Sequence, residues 1–448
     1  MAVARVEGVT KVRAVALSME RRRRRMAVVA DRRSHREMDA GAAGGGWRWS
    51  CTANSANSEI SRAEPRRFGQ NNPMSASLFS PVAEEGRTHP LFRELRDAPH
   101  HAAARVLMDE VFGDFPDTDK SFIQEFQTGG FSARVFELAL FAYIQESGVE
   151  IDRYHAAPDF VLRGDAPVAI EATTTNPPQD QDPDELVQRR KIRELIPSGL
   201  SSDDDEFVFQ IGKAIRRKMI KRDNLGRAYW EQPHVAGLPF VIAVAPFHDL
   251  QAQGYPMGIV AHYLNGSRDV AQYGKDGALR VVQEKINSHE HDGKTIPSGL
   301  FAQPEAADLA GVLYSNSSTV GMFNRIGIER GYGQVDVALL RIGTAYDPNP
   351  NASKPQLFGY VVGDQSRDER ETFADGLQLF LNPHAKVAVS LAALPGITVN
   401  EVLGDGRVQT SHCGGLQPFV SKTMVFHGPE ASHYAYAQLD KFRSAGLS

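Results

Sequence analysis

The sequence predicts an α/β protein with a mixed sheet over residues 74–250, extended by an α+β region over 251–448. Three observations predict it. Two short apolar runs of strand type flank a turn at residues 163–167. A nearly all-apolar helix precedes them and an amphipathic helix follows. A continuous apolar run at 238–245 closes the set. In chain order this reads helix, three strands, helix, strand.

Pro99 to Phe112 predicts a helix with Val106, Leu107, Val111 and Phe112 on its apolar side. Asp117 is expected to cap a second helix that ends at Gly129-Gly130, and Ser132 a third over Ala133 to Ser147. The third helix is apolar nearly all round (Val135, Phe136, Leu138, Ala139, Leu140, Phe141, Tyr143, Ile144), so it is expected to be buried. Glu137 sits in its middle. A buried carboxylate needs a partner or a raised pKa. That partner is either a metal with its water shell or Arg134, one turn away.

Val149 to Arg153 reads as a short strand. Asp159-Phe160-Val161-Leu162 and Val168-Ala169-Ile170-Glu171 then read as a β-hairpin around Arg163-Gly164-Asp165-Ala166-Pro167. A hairpin symmetric about Asp165 sets Asp159 opposite Glu171, with Cβ atoms roughly 4.5–5.5 Å apart. Phe160, Leu162, Ile170 and Ala172 then share one face, and Asp159, Val161, Ala169, Glu171 and Thr173 the other. Two opposed carboxylates repel. A divalent cation between them, a protonated acid or an intruding basic side chain would relieve this, as would a shifted register with both acids in solvent. A hard cation such as Mg²⁺ takes carboxylate, water and phosphate oxygens, the logic of phosphodiester hydrolysis.

Glu137 in a helix, Pro158-Asp159, and Glu171-x-Thr173 together resemble the PD-(D/E)xK nuclease superfamily, which includes restriction and repair endonucleases. The resemblance covers residues 131–245. It implies a restriction-endonuclease-like αβββαβ core and Mg²⁺- or Mn²⁺-dependent hydrolysis of DNA. Asp159 and Glu171 would ligate the metal with help from the Ala172 carbonyl, and Glu137 would bind the metal or its water. The family's lysine falls at Thr173, which cannot supply a positive charge. Some members carry that lysine on the following helix.

That helix is Phe207 to Arg222, with Val208, Ile211, Ile215 and Met219 as its apolar stripe. Lys213, Arg216, Arg217, Lys221 and Arg222 cover the rest, either as cations snorkelling around a core face or as a phosphate-facing surface. Lys213, early in the helix, is expected to replace the missing lysine, with Gln210 orienting it and Lys218 in reserve. Lys213, Arg217 and Lys221 are the expected DNA-binding cations. His155 would position a phosphate or shuttle a proton, or is simply a loop histidine.

In the second half, Pro256 to Leu264 reads as a helix, Leu309 to Tyr314 as a strand, and Val335 to Ile342 with Leu357 to Val362 as a second hairpin around 347–350. Phe380 to His384 ends another strand. Residues 265–300 are mixed and loop-rich. His289-Glu290-His291 lacks further ligands at zinc spacing. Gly293-Lys294-Thr295 lacks both the glycine and the strand of a P-loop. Asp203-Asp204-Asp205 is a second metal site or a group of solvated acids. Residues 315–325, with Asn316 and Arg325, form a polar cluster that is either a contact for phosphate or sugar or a turn and helix cap.

A hydrophobic content of 42% with 23% charged residues fits a globular chain long enough for two or three domains. No apolar run approaches the roughly 18 residues that span a membrane. Two isolated cysteines, Cys51 and Cys413, make no disulfide framework and fit a cytoplasmic protein. Residues 1–73 hold 15 Lys/Arg against 7 Asp/Glu; with a net charge of −5 overall, the remainder carries about −13. An acidic body argues against a broad DNA-coating surface while leaving room for a local basic groove. The basic leader reads as unstructured, and translation is expected to start at Met74. The expected function is Mg²⁺-dependent DNA cleavage, with a homodimer compatible with it. The alternatives are a catalytically inactive binding or assembly module of the same fold, or an unrelated enzyme centred on Asn316 to Arg325.

Overall fold

Val168–Thr175, Phe240–Pro246 and Leu309–Ser315 are buried along their whole lengths, the last two as largely apolar central strands and the first with Glu171 and Thr173 to Thr175 buried as well. The computed structural model describes residues 48–49, 77–117, 120–152, 154–176, 204–248, 252–255, 257–273, 279–346, 355–367, 369–404, 408–412 and 416–446. Both cysteines, Asp203, the turn at 347–350, the expected Met74 start and all of the basic leader but Arg48–Trp49 lie outside them; those two residues, expected to be unstructured, form a strand. The helices are α1 (Pro90–Asp97), α2 (Ala102–Gly113), α3 (Phe122–Gln127), α4 (Phe131–Ser147), α5 (Asp204–Ile220), α6 (Gly258–Asn265), α7 (Val320–Glu329) and α8 (Ala431–Gly446). The strands are β1 (Arg48–Trp49), β2 (Ile151–Asp152), β3 (Phe160–Leu162), β4 (Val168–Thr175), β5 (Phe240–Pro246), β6 (Ser267–Tyr273), β7 (Leu279–Lys285), β8 (Ser288–His291) and β9 (Lys294–Pro297). They continue with β10 (Leu309–Ser315), β11 (Val337–Ala345), β12 (Gln356–Val361), β13 (Leu377–Leu381), β14 (Thr398–Val402), β15 (Val408–Ser411) and β16 (Pro418–His427).

The fold is mixed α/β. The main sheet has the order β1-β15-β14-β13-β10-β5-β4-β3-β2. Strands β4, β5 and β10 run parallel, while β2, β3 and β4 form an antiparallel meander. On the far side of β10, β13 is antiparallel to it, β14 parallel to β13, and β15 antiparallel to β14. The sheet therefore takes strands from both sides of residue 250, and the expected boundary there does not separate two sheets.

One face is covered by α2, α4 and α7, with Phe136, Phe141, Met322 and Phe323 in the core. The other is covered by α5 and α6, through Phe207, Ile211, Ile215, Val260 and Tyr263. Helix α4 is buried as expected, and ends at Gly148, whose φ of +69° favours a residue without Cβ. It begins at Phe131, so Ser132 lies inside it and is no cap. Asp117 does bond the first residue of α3, accepting the Phe122 N–H at 3.4 Å. Val106 is 44% exposed, so α2 turns it away from the core and buries Ala103, Ala104 and Met108 instead. Helices α2 and α7 cross closely at Gly327, where a Cβ would lie 2.6 Å from the Ala103 carbonyl oxygen.

A second sheet, β12-β11-β16, contains the expected hairpin, with Leu340 opposite Val361. Helix α8 covers it through Ala431, Ala435 and Leu439. Residues 265–300, expected to be loop-rich, fold into the hairpins β6–β7 and β8–β9. Gly293, with φ of +69°, makes the β8–β9 turn, and Lys294-Thr295 starts β9.

Candidate functional site

The β3–β4 register pairs Phe160 with Ile170, Val161 with Ala169 and Leu162 with Val168, the symmetry about Asp165 that the sequence predicts. One residue further, Asp159 meets Glu171. The Asp159 N–H donates to Glu171 Oε2 at 3.2 Å, and the Ala172 N–H donates to Asp159 Oδ2 at 2.7 Å. Phe160, Leu162, Ile170 and Ala172 pack toward α4, while Val161 and Ala169 pack toward α5. Glu171 and Thr173 share that second face.

Helix α5 meets them there. Lys218 Nζ donates to Glu171 Oε1 at 2.5 Å, with Glu171 only 3% exposed. The Arg217 guanidinium donates to Thr173 Oγ1 at 2.9 Å. A basic side chain thus does intrude between the acids, and a cation stands at the residue that departs from Glu-x-Lys. The lysine at Glu171 is Lys218. Lys213, the first choice from sequence, is exposed on the face of α5 opposite its buried stripe of Val208, Ile211 and Ile215. Lys221 is exposed, with its ammonium 5.4 Å from the centre of the Tyr229 ring.

Glu137 looks into the same acids from α4. It pairs with Arg134 at 2.5 Å, and Arg134 also holds Glu125, so the bland partner named from sequence is present. Burial pushes the Glu137 carboxyl up, Arg134 opposes this, and Glu171 adds to it. Asp159 is held well above the usual carboxylate range, first by burial, then by Glu171 and Glu137, with Lys218 acting against them. Three carboxylates and one ammonium therefore share one field. As a set, the carboxylates do not bring one oxygen each within 4.8 Å of one another. Asp159 and Glu171 are the pair placed to share a cation, with Glu137 behind them.

Tyr229 had no signal in sequence. It follows α5 in a short turn and lies 4% exposed, with its hydroxyl beside Glu171. Burial raises its phenol, and the neighbouring Glu171 raises it further.

Other sequence candidates lie elsewhere. His155 stacks on His234 at 3.7 Å and 3°, with Nδ1 3.2 Å from Asp152 Oδ1. Asp152 also pairs with Arg163 at 2.7 Å, which makes His155 part of a loop network. Asn316 donates to the carbonyl of Phe419 at 3.1 Å. Arg325 clasps Glu371 through two bonds of 2.7 Å, and Arg341 reaches the same carboxylate at 3.0 Å. All three are nearly inaccessible, so this cluster ties the two sheets together and offers a substrate nothing. Asp205 pairs with His289 at 2.9 Å and is 55% exposed, a tether between α5 and the β8–β9 hairpin.

Among the described residues, Glu94, His100 and His101 do bring one ligand atom each within 4.8 Å. The Ala104 N–H donates to Asn324 Oδ1 at 3.1 Å, which turns Asn324 Nδ2 toward His101 Nδ1 at 2.6 Å. His101 Nδ1 is therefore an acceptor and Nε2 carries the proton, so neither nitrogen is available to a metal.

No family model matches the chain, and no curated protein or solved structure matches it either.

Proposed function

We propose that the chain is a divalent-metal-dependent nuclease of the PD-(D/E)xK type that hydrolyses DNA phosphodiester bonds. The observation that carries this reading is the reciprocal Asp159–Glu171 lock with Lys218 on Glu171. Support also comes from the run of α4, β2, β3, β4, α5 and β5, the αβββαβ order of that class. The donor set suits a hard cation: two hairpin carboxylates that repel each other, backed by a third. A bound divalent ion would supply a polarised water and neutralise charge at the phosphate. Asp159 and Glu171 would hold it, with Glu137 behind them to bond its water. Lys218 stands in for the lysine missing at Thr173 and stabilises charge developing on the phosphate oxygens. Arg217 joins it from the neighbouring position, with Lys213 on the exposed side of α5 and Lys221 just past its end toward flanking phosphates.

The test is cleavage of single- and double-stranded DNA by the purified chain with Mg²⁺ or Mn²⁺. Cleavage abolished by chelation, by Asp159→Asn and by Glu171→Gln is expected. Cleavage that persists in chelator ends this reading. A second reading, an inactive binding module, is favoured by one observation: Glu137 and Glu171 each already have a cationic partner. It predicts DNA or protein binding with no hydrolysis under any metal.

A further inference from the structure

We propose that Lys218 and a divalent cation exchange at Glu171: the ammonium is the resident counter-ion of the acidic cluster, and metal loading releases it toward the substrate. This rests on the metal reading above and adds how the site is loaded.

Both oxygens of Glu171 are in use. Oε2 accepts the Asp159 N–H, and Oε1 accepts Lys218 Nζ at 2.5 Å. A cation that ligates Oε1 competes with Lys218 for it, because two positive centres sharing one oxygen repel strongly in a buried site. The amide belongs to the hairpin backbone and cannot leave without breaking the turn into β3. Lys218 can leave. It lies in the last turn of α5, its side chain is 18% exposed, and its stem is flexible.

The charge balance agrees. Glu137 has Arg134, so Lys218 is the cation that serves Asp159 and Glu171. With Lys218 in place, a divalent ion would overcompensate that pair. With Lys218 withdrawn, two carboxylates meet two positive charges.

Tyr229 lies on the same carboxylate. Its buried hydroxyl is beside Glu171, which raises the phenol by its charge and by hydrogen bonding, so a donor remains next to Glu171 once Lys218 withdraws. A released Lys218 keeps its place beside Arg217, on the side where Lys221 is exposed. The lysine would thus guard the empty site and then serve the loaded one.

The experiment is Mn²⁺ titration of the full chain at pH 7.5, following the free-ion signal by electron paramagnetic resonance. The wild type is compared with Lys218→Met. Lys218→Gln, which keeps a donor for Glu171, replaces it if the Met variant does not fold. Binding tighter by about ten-fold or more in the variant is expected, since the competitor is gone. In the wild type, acetylation of Lys218 by a water-soluble reagent, read by mass spectrometry, should rise with Mn²⁺. If both folded proteins bind Mn²⁺ and the variant binds equally or more weakly, the exchange is overturned while the metal reading stands. If neither binds, with or without DNA, the metal reading falls and the exchange with it.

Discussion

Asp159 and Glu171 hold each other in both directions across the hairpin: the Asp159 amide donates to the Glu171 carboxylate, and the amide after Glu171 donates back to Asp159. The lock fixes two like charges against each other. Asp159→Asn keeps an acceptor for the Ala172 N–H and removes one charge. It is expected to stabilise the fold by about 1 kcal/mol at pH 8. The folded-state pKa of Asp159 is raised, so the wild type carries its penalty above the ordinary carboxylate range and loses it as pH falls toward 4. Urea unfolding at pH 8 and pH 4 checks this. A gain of equal size at both pH values would refute the electrostatic cause.

Glu371 behaves in the opposite sense. Burial alone would raise its carboxyl, yet Arg325 and Arg341 hold it below the usual range. Glu371→Gln leaves two buried guanidinium groups without their anion and should cost about 3–5 kcal/mol at pH 7. The contribution is fully present above the ordinary pKa near about 4.3 and drains away as pH drops below it. Guanidinium unfolding across pH 3–7 reads both the size and the direction.

Gly327→Ala puts a methyl against the Ala103 carbonyl oxygen, which is backbone and has no rotamer to escape into. A loss of about 1–3 kcal/mol follows, visible as a lower Tm. Gly86→Ala, where nothing lies within 4 Å, is the neutral control.

On the proposed function, Arg217→Ala and Lys221→Ala should weaken DNA binding across all sequences. Each should reduce the slope of log affinity against log salt by about 1. Fluorescence anisotropy at several salt concentrations measures it. An unchanged slope in both variants would remove α5 from the DNA face.

The hairpin was legible because its register follows from one turn: 163–167 has a single symmetric solution, and alternation does the rest. The burial of α4 was legible from its nearly all-round apolar character, and that of β5 from its continuous apolar run. The lysine was not. Helix side chains lean toward the N-terminus, so the residue that reaches Glu171 comes later in α5 than its position suggests. Lys218 also lies beside the Ile215 stripe, while Lys213 faces away. Tyr229 and the Arg325–Glu371–Arg341 cluster were hidden for another reason. Their partners are 30 to 58 residues away, and no periodicity reports a contact at that separation. The β6–β7 hairpin, with Arg268 facing Glu284, mixes charged and polar residues in a way that resembles loop composition.

The placement of β5 between β4 and β10 has a consequence for anyone who divides the chain. A fragment that stopped near residue 250 would end with β5 as an open edge. Seven buried residues from Phe240 to Pro246 would then offer unpaired amides and carbonyls to any strand in solution. Long, flat, apolar edges of that kind recruit copies of themselves. The second half of the chain is thus the seal on the first, and a shortened protein is expected to precipitate before its chemistry can be assayed.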